Sequence, residues 1–121
     1  MFNIYKRDIG SVEPTEYLHA AATLTPGSAA KLTGGSLAKA GATDKPTHIV
    51  LGPARPDGLV PALRVQPTTV FETTSTAAVA SVGGTVQLHT DAAQVTAASG
   101  GPFTVEYTQN KIGGVVRGRF A

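Results

Sequence analysis

The chain has no cysteine and no tryptophan, and only 15% of its 121 residues are charged. The absence of cysteine excludes disulfides, thiolate catalysis and zinc sites with cysteine ligands. An average soluble protein has about a quarter charged residues, so much of this surface must be neutral. A neutral surface of small side chains loses little hydration when another protein covers it, which suits a chain that lies against other subunits. An ordinary globular protein of low charge is the alternative.

Charge of either sign is weakly clustered. Ten basic and eight acidic residues give a net charge of +2, and basic residues are concentrated only at Lys6-Arg7 and at residues 117–119. A protein that neutralises several phosphates concentrates lysine and arginine on one face, so nucleic-acid binding is not expected. No apolar run approaches the roughly 18 residues of a membrane span, and the first residues lack the apolar core of a signal peptide. We therefore expect neither a membrane segment nor secretion.

Short apolar-alternating segments between turn residues predict an all-β fold. Gly34-Gly35 predicts a tight hairpin in which Leu32 and Leu37 face the same core. Residues 46–52 read as a buried strand, residues 53–58 as a surface loop, and Pro67 as a break between two strands. Residues 73–82 are the one place where a helical turn is expected.

A weak internal repeat relates residues 27–50 to residues 84–106. Each segment has a glycine, a strand, a short turn, a second strand, an alanine-rich link and a proline before a third strand. Two similar hairpin-plus-strand units predict a small β-barrel or β-sandwich of short antiparallel strands. Chance similarity between hairpins of similar length is the alternative.

Residues 1–18 differ in character from the rest, because they hold two of the three tyrosines and a mixture of charges. Gly10 and Pro14 prevent a long regular element there. We expect an extended N-terminal arm over residues 1–18, with a single β domain over residues 19–121. The arm either docks on a neighbouring molecule or is a frayed terminus.

Catalytic chemistry has little support, and we expect no enzyme activity, cofactor or metal. The carboxylates are isolated in the sequence, and Asp57 and Asp91 lie in predicted turns where they serve the backbone. His19, His48 and His89 lack the short spacing of metal motifs, so we expect each on a strand surface. The glycine-rich positions are not followed by the lysine and hydroxyl residue of a phosphate loop.

The order of these signals resembles the small head-decoration, or capsid cement, proteins of tailed bacteriophages. The resemblance covers roughly residues 24–120 and is carried by residues 31–39, 46–52, 60–65, 70–73 and 84–96. It implies a structural virion protein that binds the outer surface of a phage capsid and stabilises the shell. Lambda-type members have an N-terminal arm that pairs with the capsid. The loop at residues 55–57 and the basic ending at residues 117–119 depart from the family pattern.

The resemblance also implies the partners and the location. The partner would be the major capsid protein, with self-association on the shell, as a trimer or another oligomer, left open. The protein would be made in the host cytoplasm and act on the outer face of the virion. The candidate contacts with the capsid are Phe2, Ile4, Tyr5, Lys6 and Arg7 in the arm, and Arg117 and Arg119, which alternate on one face of the last strand. A β-barrel binding module for nucleic acid or glycan is the alternative function.

Overall fold

The computed structural model describes residues 1–10 and 12–120, and over these residues the fold is all-β with no helix. This confirms the predicted fold class. The strands are β1 (Asn3–Arg7), β2 (Glu16–Ala20), β3 (Ala29–Thr33), β4 (Ser36–Lys39), β5 (His48–Val50), β6 (Leu59–Arg64), β7 (Thr69–Thr74), β8 (Thr85–Leu88), β9 (Val95–Ser99), β10 (Phe103–Thr108) and β11 (Val115–Arg119).

The strands form two sheets. Strands β2, β4, β3, β5 and β6 close into a barrel in that order, with β2 and β4 parallel and the other pairs antiparallel. The other sheet has six strands in the order β1-β7-β11-β10-β8-β9. This sheet curls, since Ser75, just after β7, forms a parallel bridge with Val95 of β9.

The two sheets repeat one pattern of pairing, which supports the predicted internal repeat. In the barrel, β3 pairs with β4 and β5, β5 pairs with β6, and β6 pairs with β2. In the six-stranded sheet, β8 pairs with β9 and β10, β10 pairs with β11, and β11 pairs with β7. Strands β2 and β4 pair in parallel in the barrel, and β7 meets β9 through the parallel bridge of Ser75 in the six-stranded sheet. Strands β2–β6 and β7–β11 are therefore two copies of the same five-strand unit, with β1 added to the second.

Side-chain alternation explains how the two units pack together. The barrel interior holds Leu37, Val50 and Val60 with other small apolar residues. Ile49 and Leu63 point to the opposite side of the same strands and join a larger core with the phenylalanines of the six-stranded sheet. Because successive residues of a strand face opposite sides, β5 and β6 supply both cores.

The Gly34-Gly35 hairpin forms as predicted. Both glycines have positive φ, at 59° and 85°, which is the requirement of the tight turn that joins twisted antiparallel strands. Leu32 pairs with Leu37 across β3 and β4, and both side chains pack in the barrel core. Residues 53–58 form an exposed loop, and Pro67 lies between β6 and β7, also as predicted.

The extended arm predicted for residues 1–18 is wrong. Strand β1 pairs with β7 of its own chain, and the Phe2 side chain is only 3% exposed, packed against Phe103 and Phe120. The Phe2 amide donates to the carbonyl of Gly27 in the other unit. Strand β2 crosses the predicted boundary at residue 18 and belongs to the barrel. The buried aromatic side chain, the pairing of β1 and the Phe2 amide hydrogen bond together hold the terminus in place.

Two smaller expectations also fail. Residues 73–82 contain no helical turn. Thr73 and Thr74 belong to β7, and Ser75 and Thr76 stay beside β9, where the Thr76 amide donates to the Val95 carbonyl. His48 is fully buried instead of lying on a strand surface. It points to the mouth of the barrel, where polar partners satisfy its ring.

Candidate interaction surface

The outer face of the six-stranded sheet brings candidate residues from distant parts of the chain into one row. Arg117 of β11 is the Cα partner of Tyr107 on β10 and of Glu72 on β7. Alternation sends Glu72 and Arg117 outward, while their neighbours Phe71 and Val116 point into the core. On β1 the extra residue of a bulge is Tyr5, which extends the row to a fourth strand.

Arg117 lies at the centre of this row. Its guanidinium carbon is 4.1 Å from the ring centre of Tyr5 and 4.6 Å from that of Tyr107, so the cation contacts two aromatic rings. Its Nε donates to Glu72 Oε2 at 2.7 Å. This hydrogen bond raises the pKa of Arg117, although burial acts in the opposite direction. We call Tyr5, Glu72, Arg117 and Tyr107 the Tyr-Arg-Tyr row.

The outer parts of the row are accessible. Tyr5 is 49% exposed and Tyr107 is 41% exposed. Within residues 1–10 and 12–120, only Nε of Arg117 has a hydrogen-bond acceptor, and its NH1 and NH2 groups have none. The row therefore presents two phenol rings and a set of N–H donors on one surface.

Arg119 is closed off by its own chain. Its Nε and NH2 donate to the Glu106 carboxylate, and its NH1 donates to Asp8 Oδ2 at 2.7 Å and to the Pro67 carbonyl at 3.0 Å. The hydrogen bonds that Arg119 donates to Glu106 and Asp8 raise the pKa of Arg119, against the effect of burial. Arg119 thus ties β11 to β10, to the end of β1 and to the segment before β7, and it is not an open contact residue.

The remaining predicted contacts separate into two groups. Tyr5 and Lys6 are exposed, whereas Phe2 is buried and Ile4 packs against the larger core. Arg7 is partly buried and pairs with Glu13 at 2.9 Å. Of the seven predicted residues, the structure thus brings Tyr5 and Arg117 into direct contact and leaves Lys6 exposed near them on β1.

Sequence reasoning missed Tyr107 and Glu72. Tyr107 follows the buried Phe103 and Val105 at a spacing of two residues, so in a regular strand its side chain would point inward with theirs. A bulge at Glu106 shifts the register of β10 and turns Tyr107 outward instead. A bulge is set by pairing with the neighbouring strand, so the local sequence gave no signal for it.

The mouth of the barrel holds a second polar cluster. His48 Nε2 is 3.2 Å from Glu16 Oε1, and its Nδ1 is 2.8 Å from Thr47 Oγ1. Glu16 also accepts two hydrogen bonds from Arg64, at 2.9 and 3.0 Å. These Arg64 bonds, with a contribution from His48, lower the pKa of Glu16 although burial opposes the shift. A cavity of about 420 Å³ opens beside Glu16 and Arg64, and its other lining residues are Arg7, Ile9, Val12, Glu13, Pro14, Gln66 and Thr68.

Every charged side chain at this mouth has an internal partner. Arg7 pairs with Glu13 and Arg64 pairs with Glu16, so the wall of the cavity carries no net charge from these four groups. Over the described residues, no group of three or more His, Cys, Asp or Glu side chains is placed to hold a metal ion. Among those residues there is also no helix with the length and apolarity that a membrane crossing requires.

A second contact between tyrosine and arginine lies on the first unit. The Arg55 guanidinium is 4.3 Å from the ring centre of Tyr17, and its NH2 donates to Asp57 at 2.5 Å. This pair resembles the Tyr-Arg-Tyr row in chemistry but has a single ring and an arginine whose terminal nitrogen is occupied.

Comparison with known proteins identifies no relative. The chain matches no protein-family model, and no curated protein or solved structure matches it.

Proposed function

We propose that the protein is a structural virion protein that binds the outer surface of a phage capsid and stabilises the shell. The observation that carries the proposal is the Tyr-Arg-Tyr row, in which Arg117 lies between the exposed rings of Tyr5 and Tyr107. Tyrosine and arginine are enriched among the residues that supply most of the binding energy of protein interfaces. In this proposal the protein catalyses no reaction and uses no cofactor.

The rigidity of the body supports a role as cement. The two units share the larger core, and backbone hydrogen bonds link them, from the Ala29 amide to the Ala92 carbonyl and from the Leu88 amide to the Ala42 carbonyl. A rigid body loses little conformational entropy when it docks. On a shell, many identical contacts of modest strength add up to firm attachment.

Attachment through a sheet face fits the structure better than strand addition by a free arm. Strands β1 and β9 are the two edges of the six-stranded sheet, and each pairs irregularly with its neighbour. Bulges on edge strands hinder pairing with a further strand. The face that carries the Tyr-Arg-Tyr row has no such obstacle.

The partner is the major capsid protein, bound on the outer face of the virion after synthesis in the host cytoplasm. Self-association on the shell, as a trimer or another oligomer, is compatible with this arrangement.

The test uses shells of the phage that encodes the protein, prepared without it. We expect the wild-type protein to sediment with the shells and to raise the temperature at which they break open. Tyr5→Ala with Tyr107→Ala should weaken binding by about tenfold or more, because truncating a central interface residue costs more than about 1 kcal/mol. Tyr17→Ala, on an exposed tyrosine of the other unit, is the matched control. Failure of the wild-type protein to sediment with shells would overturn the proposal.

A binding module for nucleic acid or glycan is the second candidate, and one observation favours it. The exposed Tyr5 and Tyr107 rings can stack on bases or on sugar faces, and Arg117 adds a cation between them. A salt-dependent mobility shift with DNA or RNA, or retention on a glycan array, together with no binding to shells, would decide for this function.

A further inference from the structure

The terminal nitrogens of Arg117 form an open edge of the Tyr-Arg-Tyr row. Glu72 accepts from Nε, while NH1 and NH2 have no acceptor within the described part of the chain. The rings of Tyr5 and Tyr107 hold the guanidinium group within 4.1 and 4.6 Å of their centres. The donors are therefore held in place before any partner arrives.

We infer that NH1 and NH2 of Arg117 bind the carboxylate of an Asp or Glu side chain on the partner protein, which on the proposed function is the capsid subunit. A guanidinium group presents two parallel N–H bonds to the two oxygens of a carboxylate. The planar fork loses little freedom on binding, because the flanking rings already restrict it. A backbone carbonyl or a hydroxyl group offers only one oxygen, so it cannot pair with both N–H bonds as a carboxylate does.

Arg119 does not share this role. Glu106, Asp8 and the Pro67 carbonyl occupy its Nε, NH1 and NH2. A carboxylate on a partner would have to displace two internal carboxylates to reach it. Of the two arginines of β11, Arg117 is therefore the proposed external contact, and Arg119 forms hydrogen bonds within its own chain.

Glu72 sets the strength of the proposed contact. Its carboxylate lies 2.7 Å from Arg117 Nε and repels a second carboxylate that approaches the same guanidinium group. Glu72→Gln keeps a hydrogen-bond acceptor of the same shape and removes the charge. We therefore expect this variant to bind an acidic partner more tightly than the wild-type protein does.

The experiment uses hexaglutamate as a probe and undecorated shells as the partner. Nuclear magnetic resonance of the backbone amides and of the arginine side chains follows hexaglutamate binding to the full chain, and sedimentation follows shell binding. Arg117→Lys keeps the charge and loses the fork, so we expect about five- to tenfold weaker binding of both ligands. Glu72→Gln should strengthen both. Arg55→Lys is the matched control, because Arg55 also lies over a tyrosine ring but its NH2 group already donates a hydrogen bond to Asp57.

Each outcome decides the inference separately from the proposed function. If shells bind and Arg117→Lys binds them as tightly as the wild type, the inference is overturned and the decoration function stands. If hexaglutamate shifts the Arg117 signals but shells do not bind, the carboxylate site stands and the decoration function fails. Equal loss of binding in the Arg55→Lys control would show that the loss is not specific to Arg117 and overturn the inference. A weaker Arg117→Lys together with a stronger Glu72→Gln would support it.

Discussion

Gly118 lies where β11 passes so close to β10 that no side chain fits. A Cβ atom there would contact the Thr104 carbonyl and come within 2.8 Å of the Phe103 ring. We expect Gly118→Ala to lower the free energy of unfolding by about 1 to 3 kcal/mol, since overpacking forces the backbone to move. Urea denaturation measures the change. Gly10→Ala is the control because nothing lies within 4 Å of that position, and equal midpoints for the two variants would contradict this packing.

Glu16 makes stability depend on pH. Its pKa lies below the ordinary value of 4.5 because Arg64 and His48 favour the carboxylate. The unfolded chain therefore takes up this proton first as the pH falls, so the stabilisation is present above pH 4.5 and is lost below it. We expect Glu16→Gln to cost about 1 kcal/mol at pH 7 and much less at pH 3. Denaturation at both pH values measures the difference, and an equal cost at both would refute it.

At the level of the elements, β1 joins the two units. It pairs with β7 of the second unit, and the Phe2 amide donates to Gly27 in the first. We expect deletion of residues 1–8 to lower the melting temperature by at least about 5 °C, because the deletion removes a buried aromatic side chain and a strand. Circular dichroism on heating measures this. An unchanged melting temperature would restore the independent arm that the sequence predicted.

Local sequence patterns predicted the strands and turns better than they predicted which strands pair with each other. Gly34-Gly35 fixes its own hairpin, and Asp57 and Asp91 accept hydrogen bonds from backbone amides two or three residues later, as expected of turn residues. These features depend on neighbours in the chain. The pairing of β1 with β7 depends on contacts across more than sixty residues, and nothing in residues 1–18 alone specifies it.

The candidate site was predictable only in part, for the same reason. The alternation of Arg117 and Arg119 on β11 correctly places both on the outer face. Their different roles depend on which carboxylates lie opposite them, and those come from β7, β10 and the end of β1. The sequence predicted His48 on a strand surface, but it is buried. The buried position is tolerated because Glu16 and Thr47 satisfy both ring nitrogens.

At the scale of the whole molecule, the shared core should make the two units unfold together. Ile49 belongs to β5 of the barrel but packs in the core of the six-stranded sheet, where it is 2% exposed. We expect Ile49→Ala to lower the free energy of unfolding by about 2 to 5 kcal/mol and to speed hydrogen exchange equally in β3 and in β11. Native-state exchange measures both. Faster exchange in the barrel strands alone would show that the units are independent.

We propose that this rigid double unit coats a phage shell through the outer face of its six-stranded sheet. Electron microscopy of the native particle tests this mode of attachment. We expect ordered copies of the protein on the outside of the capsid, with Tyr5, Arg117 and Tyr107 at the contact with the capsid protein. A particle without the protein on its outer surface, or with the Tyr-Arg-Tyr row turned to solvent, would contradict it.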